Sequence, residues 1–184
     1  MAGYPRKLLS LELALKNIIK ELKKDEIKEI TGKSESHFRK CTDEQDLDHI
    51  CEILMLNNTD FNLPANQITT IEKTLSFNQI KAANDLPNNI ENIYLFQLFS
   101  HAHQLMTRFD VEFYDGETEE TQIIYTALDY EHPPILTLNE HLQIQDGDYI
   151  KISATYNNIT DDDVGFGLLS TDEMMILFGY LYYD

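Results

Sequence analysis

The hydrophobic spacing of this chain changes period once, near Asn57, and that change limits the folds open to it. Before it, apolar residues recur three and four positions apart, the spacing of a helix face. After it they mostly alternate with polar residues, which puts every second side chain on one face of a strand. With 184 residues and one such break, the chain reads as two modules. A helical segment is expected over 1–56 and a mainly β, antiparallel sandwich over 60–184. The polar cluster Asn57-Asn58-Thr59-Asp60 marks the boundary between them.

In the front segment, Leu11, Leu15, Ile18, Ile19 and Leu22 form one helix face, with Ser10 as N-cap. A second short helix starts at Asp25, Thr31-Gly32-Lys33 breaks the chain, and a third helix covers 34–40. Gly32 sits where a tight turn between helices calls for a positive φ. The order resembles a phage-regulator helix-turn-helix. The resemblance implies DNA as a partner of residues 1–41, with Lys33, Ser34, Ser36, His37, Arg39 and Lys40 near the duplex. Lys28 departs from it, standing where such motifs hold a small residue. The competing reading is a three-helix cap that binds nothing. A fourth helix is expected over 42–56, its acids gathered in the first turn. Cys41, His49 and Cys51 offer only three ligands with no second cysteine pair, a weak metal signal, and read as structural.

Charge divides the chain at nearly the same place. Residues 1–41 hold ten of the 14 Lys and Arg and six of the 32 Asp and Glu. The balance is +4 in front and −22 behind, which together make the net −18. Two modules with different partners are expected, and the acidic one would repel phosphate. No apolar run reaches membrane-spanning length. The basic start lacks a sustained apolar stretch, so neither a signal peptide nor a membrane partner is read, and a cytoplasmic location is expected.

In the back segment, Gln67 to Phe77 reads as a strand with Ile68, Thr70 and Leu75 half-buried. Phe109 to Tyr114 alternates strictly and runs into the turn Asp115-Gly116. Strands follow at 122–125, 135–138 and 148–156, with a turn at Asp146-Gly147, and the last spans 173–182. His132 and His141 are read as exposed loop histidines, and Asp161-Asp162-Asp163 as a solvated loop without calcium-loop spacing.

The residues that carry chemistry are His101-Ala102-His103, at the end of the apolar run Tyr94 to Phe99, and Met174, which opens the run Met174 to Phe178. On a strand the two imidazoles share a face. Two imidazoles and a thioether form a soft ligand set suited to copper. Spacing alone leaves the plainer alternative open, since His-x-His is common and a methionine on an apolar strand is usually core.

Motifs over the back two thirds of the chain resemble the C-terminal domain of the copper type II, ascorbate-dependent monooxygenases. They are Phe61-Asn62-Leu63-Pro64-Ala65, His101-Ala102-His103, Arg108-Phe109-Asp110-Val111-Glu112, Asp115-Gly116, the stretch 142–148, Ala154-Thr155-Tyr156-Asn157-Asn158 and Ser170-Thr171-Asp172-Glu173-Met174-Met175. The resemblance implies a jelly-roll-like sandwich, one copper on His101, His103 and Met174, and hydroxylation of a small-molecule C–H bond. It also marks departures. The electron-donating copper domain of the family is not read in this chain, so a partner protein or small reductant is expected to supply electrons. Ala154 and Met175 stand where animal members carry a disulfide, so this domain needs no oxidising compartment. Phe99 and Phe178 occupy positions that in peptide-hydroxylating members anchor a carboxylate, and Met106 replaces a common glycine. The alternative function is a DNA-binding regulator whose acidic β-domain senses metal or mediates assembly.

Overall fold

The computed structural model describes residues 52–184. The three expected front helices, the six helix-turn-helix residues from Lys33 to Lys40, and Cys41, His49 and Cys51 lie outside the described residues. In chain order the described elements are β1 (Glu52–Asn57), β2 (Asn62–Leu63), β3 (Gln67–Ser76), helix α1 (Phe77–Ala83), β4 (Ile93–His101), β5 (Met106–Asp115) and β6 (Glu120–Ala127). They continue with β7 (Leu136–Ile144), β8 (Tyr149–Asn158), β9 (Val164–Gly165) and β10 (Ile176–Tyr183).

Eight of the strands build two four-stranded antiparallel sheets, ordered β1-β10-β4-β7 and β3-β8-β5-β6, while β2 and β9 form a small separate pair. The mainly β antiparallel sandwich expected from the alternation is therefore present. Its core lies between the inner faces of the sheets. In β8, Ile150, Ile152, Ala154 and Tyr156 are buried at every second position. They pair in register with β5, Ile150 with Phe113, Ile152 with Val111 and Ala154 with Phe109. The opposite sheet contributes Leu54 and Leu56 of β1, Leu177 and Leu181 of β10, and Leu95 and Leu98 of β4. Each such side chain stabilises the fold by roughly 1.5–3 kcal/mol relative to exposure. Gly179 lets β10 lie close to its neighbours, because a Cβ there would run into the Gln97 carbonyl and crowd Leu98 and Leu54.

Several expected elements differ. The helix expected over 42–56 is a strand over its last five residues, since Glu52–Asn57 pairs antiparallel with β10 from Glu52↔Leu181 to Asn57↔Ile176. The run Ile53-Leu54-Met55-Leu56 is apolar throughout, so its period cannot separate a buried strand from a helix, and the partner strand decides. In β3, Leu75 faces inward, but Ile68 is 71% exposed and Thr70 is also exposed. Ile68 and Leu75 are seven apart, an odd number, and so point to opposite faces of a strand. Phe77 opens α1 instead of ending β3. Ser76 caps that helix, its Oγ accepting from the Gln79 N–H while Gln79 Oε1 accepts from the Ser76 N–H at 2.9 Å. His141 lies on β7, not in a loop, with its ring Nδ1 2.9 Å from the Tyr182 hydroxyl.

The two Asp-Gly turns meet. A Cβ on Gly116 would collide with the Gly147 backbone, and buried Asp148 clamps both turns by accepting from Gly116 N and Gln145 N, each at 2.8 Å. Among the described residues no helix is long and apolar enough to cross a membrane.

Candidate metal centre

His101 is the last residue of β4, paired with Ile176 at the start of β10. His103 lies beyond the strand end, so strand alternation does not set both rings as the sequence suggested. A turn does: the Met106 N–H donates to the His103 carbonyl at 3.1 Å, and Ala102 is buried between the two histidines. The rings still meet, edge to face, with centroids 5.4 Å apart. The end of β4 is held from the core side, where the Ser100 N–H donates to the Tyr125 hydroxyl at 3.0 Å and that hydroxyl donates to the Pro134 carbonyl at 2.9 Å.

Met174 also lies off the strand, since β10 begins at Ile176. It belongs to a loop joined closely to the histidine turn. Glu173, fully buried, spreads its carboxylate over both: one oxygen accepts from Leu105 N at 2.7 Å, the other from His103 N at 2.9 Å and Met174 N at 3.3 Å. Burial pushes the Glu173 carboxyl up, while these backbone donors and the nearby His103 pull it back down. The Met174 carbonyl accepts from the buried Tyr156 hydroxyl at 2.7 Å, and burial, then Glu173, pushes that phenol far up, so it stays a donor. The Met174 side chain is buried and is not among those lining the cavity at the histidines.

The ring of His103 is fixed by one bond. Its Nδ1 lies 2.7 Å from the backbone carbonyl of Asp172. A carbonyl only accepts, so Nδ1 carries the proton, and in the neutral ring Nε2 keeps the lone pair. Metal-bound histidines are commonly oriented in this way. Desolvation, and then the neighbouring His103, hold the His101 imidazole below its ordinary value, which favours the neutral, ligating form.

The loop carrying Asp172 is tied at its base. Gly167 N donates to the Glu173 carbonyl at 3.1 Å and Glu173 N to the Gly165 carbonyl at 3.0 Å. The Asp172 carboxylate accepts from Leu169 N at 3.2 Å and fills the space where a Cβ on residue 167 would lie, which explains the glycine there.

In front of the histidines is an open cavity of about 460 Å³. It is lined by His101, Ala102, His103 and Gln104 from one side, and by Tyr130, Glu131, Leu168 and Ser170 from two loops. Sequence reasoning missed Tyr130 and Glu131. The signal that could have found them is Asp129, whose carboxylate accepts from Glu131 N at 2.9 Å and builds the turn that presents them. Phe99 and Phe178 face each other across β4 and β10 with stacked rings 5.3 Å apart, and neither lines the cavity. Met106 is buried at the base of the histidine turn, and Ala154 and Met175 are buried in the core. Among the described residues no three His, Cys, Asp or Glu side chains converge on one point.

The described residues thus form an antiparallel sandwich with an imidazole pair at one strand end and a cavity in front of it. Residues 49–184 match the family model of the copper type II ascorbate-dependent monooxygenase, C-terminal domain, and the chain belongs to that family. No curated protein matches the chain. Among solved structures it is similar to the decameric BFDV capsid protein at 7% identity, covering 74% of this chain and 98% of that one, with a TM-score of 0.36. A likeness that loose carries over neither fold nor function.

Proposed function

We propose that the β-domain binds one copper ion through His101, His103 and Met174 and takes part in oxygen-dependent hydroxylation of a small molecule held in the cavity. The observation that carries this reading is the bond from His103 Nδ1–H to the Asp172 carbonyl, which leaves the lone pair on Nε2 of a ring that meets His101 edge to face. Family membership supports copper as the metal, and two imidazoles with a thioether form a donor set that accepts both its oxidation states.

Bound there, copper would supply the one-electron redox chemistry of a monooxygenase. The chain's own residues have other tasks. Glu173 ties the backbone of the histidine turn to that of the methionine loop. Tyr156 holds the Met174 backbone from the core. Asp172 orients His103 through its carbonyl and braces its own loop through its carboxylate. Ala102, Leu168 and the ring of Tyr130 offer apolar surface to a substrate, and Gln104, Ser170 and Glu131 offer polar contacts. Electrons would come from a separate partner protein or a small reductant.

The test is copper content and sulfur ligation. Wild-type protein loaded with Cu(I) and desalted should retain one copper per chain, with a sulfur shell in the X-ray absorption spectrum. His101→Ala should retain almost none. Met174→Leu, which nearly conserves volume, should fold but lose the sulfur shell. Equal copper in wild type and His101→Ala, or an unchanged spectrum in Met174→Leu, would show the assignment to be wrong.

A further inference from the structure

A row of aromatic rings runs along the sheet β1-β10-β4-β7, on the face opposite the core residues Leu98 and Leu177, and it starts at the histidine pair. By strand alternation His101 shares a face of β4 with Phe99, and Phe178, Tyr180 and Tyr182 share a face of β10. The rings of Phe99 and Phe178 stack at 5.3 Å. Tyr180 stacks on Phe96 at 6.0 Å, and Phe96 lies 6.4 Å from Tyr182. Tyr182 then stacks on Tyr94 at 4.9 Å, the two planes 13° apart. The remaining steps, His101 to Phe99 and Phe178 to Tyr180, join residues two apart on one strand, about 7 Å along it.

At the far end of this row a phenol meets a base. Exposed His141 on β7 has its Nδ1 2.9 Å from the Tyr182 hydroxyl, and its ring touches those of Tyr182 and Phe96. The chain has no tryptophan, so tyrosine is its most easily oxidised aromatic side chain. A phenol gives up an electron far more readily when a base within hydrogen-bond reach takes its proton. An imidazole protonated at Nε2 is such a base, accepting at Nδ1 to become imidazolium. The tyrosines bound near the histidine and methionine loops have poorer partners. Tyr125 donates to the Pro134 carbonyl and Tyr156 to the Met174 carbonyl, and a carbonyl takes the hydrogen bond but not the proton. Tyr130 donates to Glu131, and Tyr94 to Asp184, and carboxylates are as a class weaker bases than imidazole.

From this arrangement we infer that Tyr182, with His141 as its proton acceptor, is a redox-active tyrosine that draws an oxidising equivalent away from the histidine pair along the aromatic row. In that step the phenol gives one electron to a one-electron oxidant formed from peroxide at the metal, and its proton to His141 Nδ1. A neutral phenoxyl radical is left on Tyr182. A small one-electron reductant returns the electron as the proton moves back. The phenylalanines are not oxidised and serve as a path for tunnelling. The inference rests on the copper reading for the source of the oxidant, but not for the Tyr182–His141 pair. Its use is protection, because a thioether such as that of Met174 is readily oxidised to the sulfoxide.

The full chain tests this in two arms. Without metal, a tris(bipyridine)ruthenium photo-oxidant with persulfate supplies the oxidising equivalent, and peptide mass spectrometry reads where it lands. Tyr114 and Tyr149 are the internal control, half-buried like Tyr182 and stacked at 4.4 Å, with no histidine on either hydroxyl among the described residues. Tyr182 should be modified about ten-fold faster than that pair, well within what a positioned base contributes. His141→Gln, which keeps an acceptor but is no base, should bring Tyr182 down to the control. His141→Ala should do the same and recover with imidazole in the buffer. Equal modification of Tyr182 and the control, or a preference that survives both variants, would overturn the inference. In the second arm the protein is loaded with Cu(I) and treated with hydrogen peroxide. Freeze-quenched samples should show a tyrosyl radical by EPR that Tyr182→Phe removes, and Met174 sulfoxide should rise in that variant. No radical, or one unchanged in Tyr182→Phe, would overturn the relay even if the pair passed the first arm. Copper content of the same samples separates the readings. Wild type that holds no copper sinks the metal site, and the metal-free arm still decides the Tyr182–His141 pair.

Discussion

The Glu173 carboxylate accepts the His103 backbone N–H at 2.9 Å, joining residues that lie seventy positions apart. With its bonds to Leu105 and Met174, this one buried side chain carries the link between the two loops that hold the candidate ligands. An ionised carboxylate can accept several donors at once, and three backbone N–H groups offset part of the cost of burying it.

Glu173→Gln should therefore cost stability. A glutamine offers one acceptor oxygen, and its NH2 group faces backbone donors it cannot bind. The expected loss is about 1–3 kcal/mol, the usual cost of leaving buried polar groups unmatched. Urea unfolding monitored by tyrosine fluorescence would measure it. A loss under roughly 0.5 kcal/mol, the level of ordinary surface substitutions, would mean the tie contributes little.

Gly167→Ala should disturb the same loop from its other side. The added methyl group would occupy the space of the Asp172 carboxylate, so that side chain must leave Leu169 N. We expect a loss of about 1–3 kcal/mol. Because Asp172 also orients His103 through its carbonyl, Cu(I) affinity should fall as well. Competition with a chromophoric Cu(I) chelator would show this, and native affinity in a destabilised variant would uncouple the loop from the metal.

The stacked rings of Phe99 and Phe178 should couple. A double-mutant cycle through Phe99→Leu and Phe178→Leu should return an interaction energy of about 0.5–1.5 kcal/mol. An interaction energy near zero would show that the stacking contributes nothing beyond the area each ring buries.

Acid should weaken the staple at Asp163. Its carboxylate accepts from Ala65 N at 2.9 Å and from Asn62 Nδ2 at 3.1 Å, and these bonds, the backbone one first, hold its pKa below the ordinary 3.8. A carboxyl depressed in the folded state binds fewer protons there than in the unfolded chain. Its contribution is complete above 3.8 and disappears as pH falls through the folded value. The stability gap between wild type and Asp163→Ala should thus be constant near neutrality and close in the acidic window. A gap that widens on acidification would contradict the sign.

Much of the architecture could be read along the chain. Strict alternation in Phe109 to Tyr114 and in Tyr149 to Asn158 decides which side chains face the core, because a strand turns each successive residue over. Both Asp-Gly turns lie where they were expected. His101-Ala102-His103 does sit at the end of a strand, as its apolar approach implied, although only His101 belongs to that strand.

Other features depended on residues far away in sequence. The run Ile53 to Leu56 becomes a strand because β10 lies beside it, and nothing in four consecutive apolar residues specifies that partner. Helix α1 spans only seven residues, too few for a helical period to stand out. Met174 reads as the start of a strand but lies in a loop, where Tyr156 and Glu173 take its backbone carbonyl and N–H. Tyr130 and Glu131 look like ordinary turn residues until the fold brings them to the histidines. Periodicity records how a residue meets its near neighbours. Which loops share a buried carboxylate is decided only when distant segments pack together.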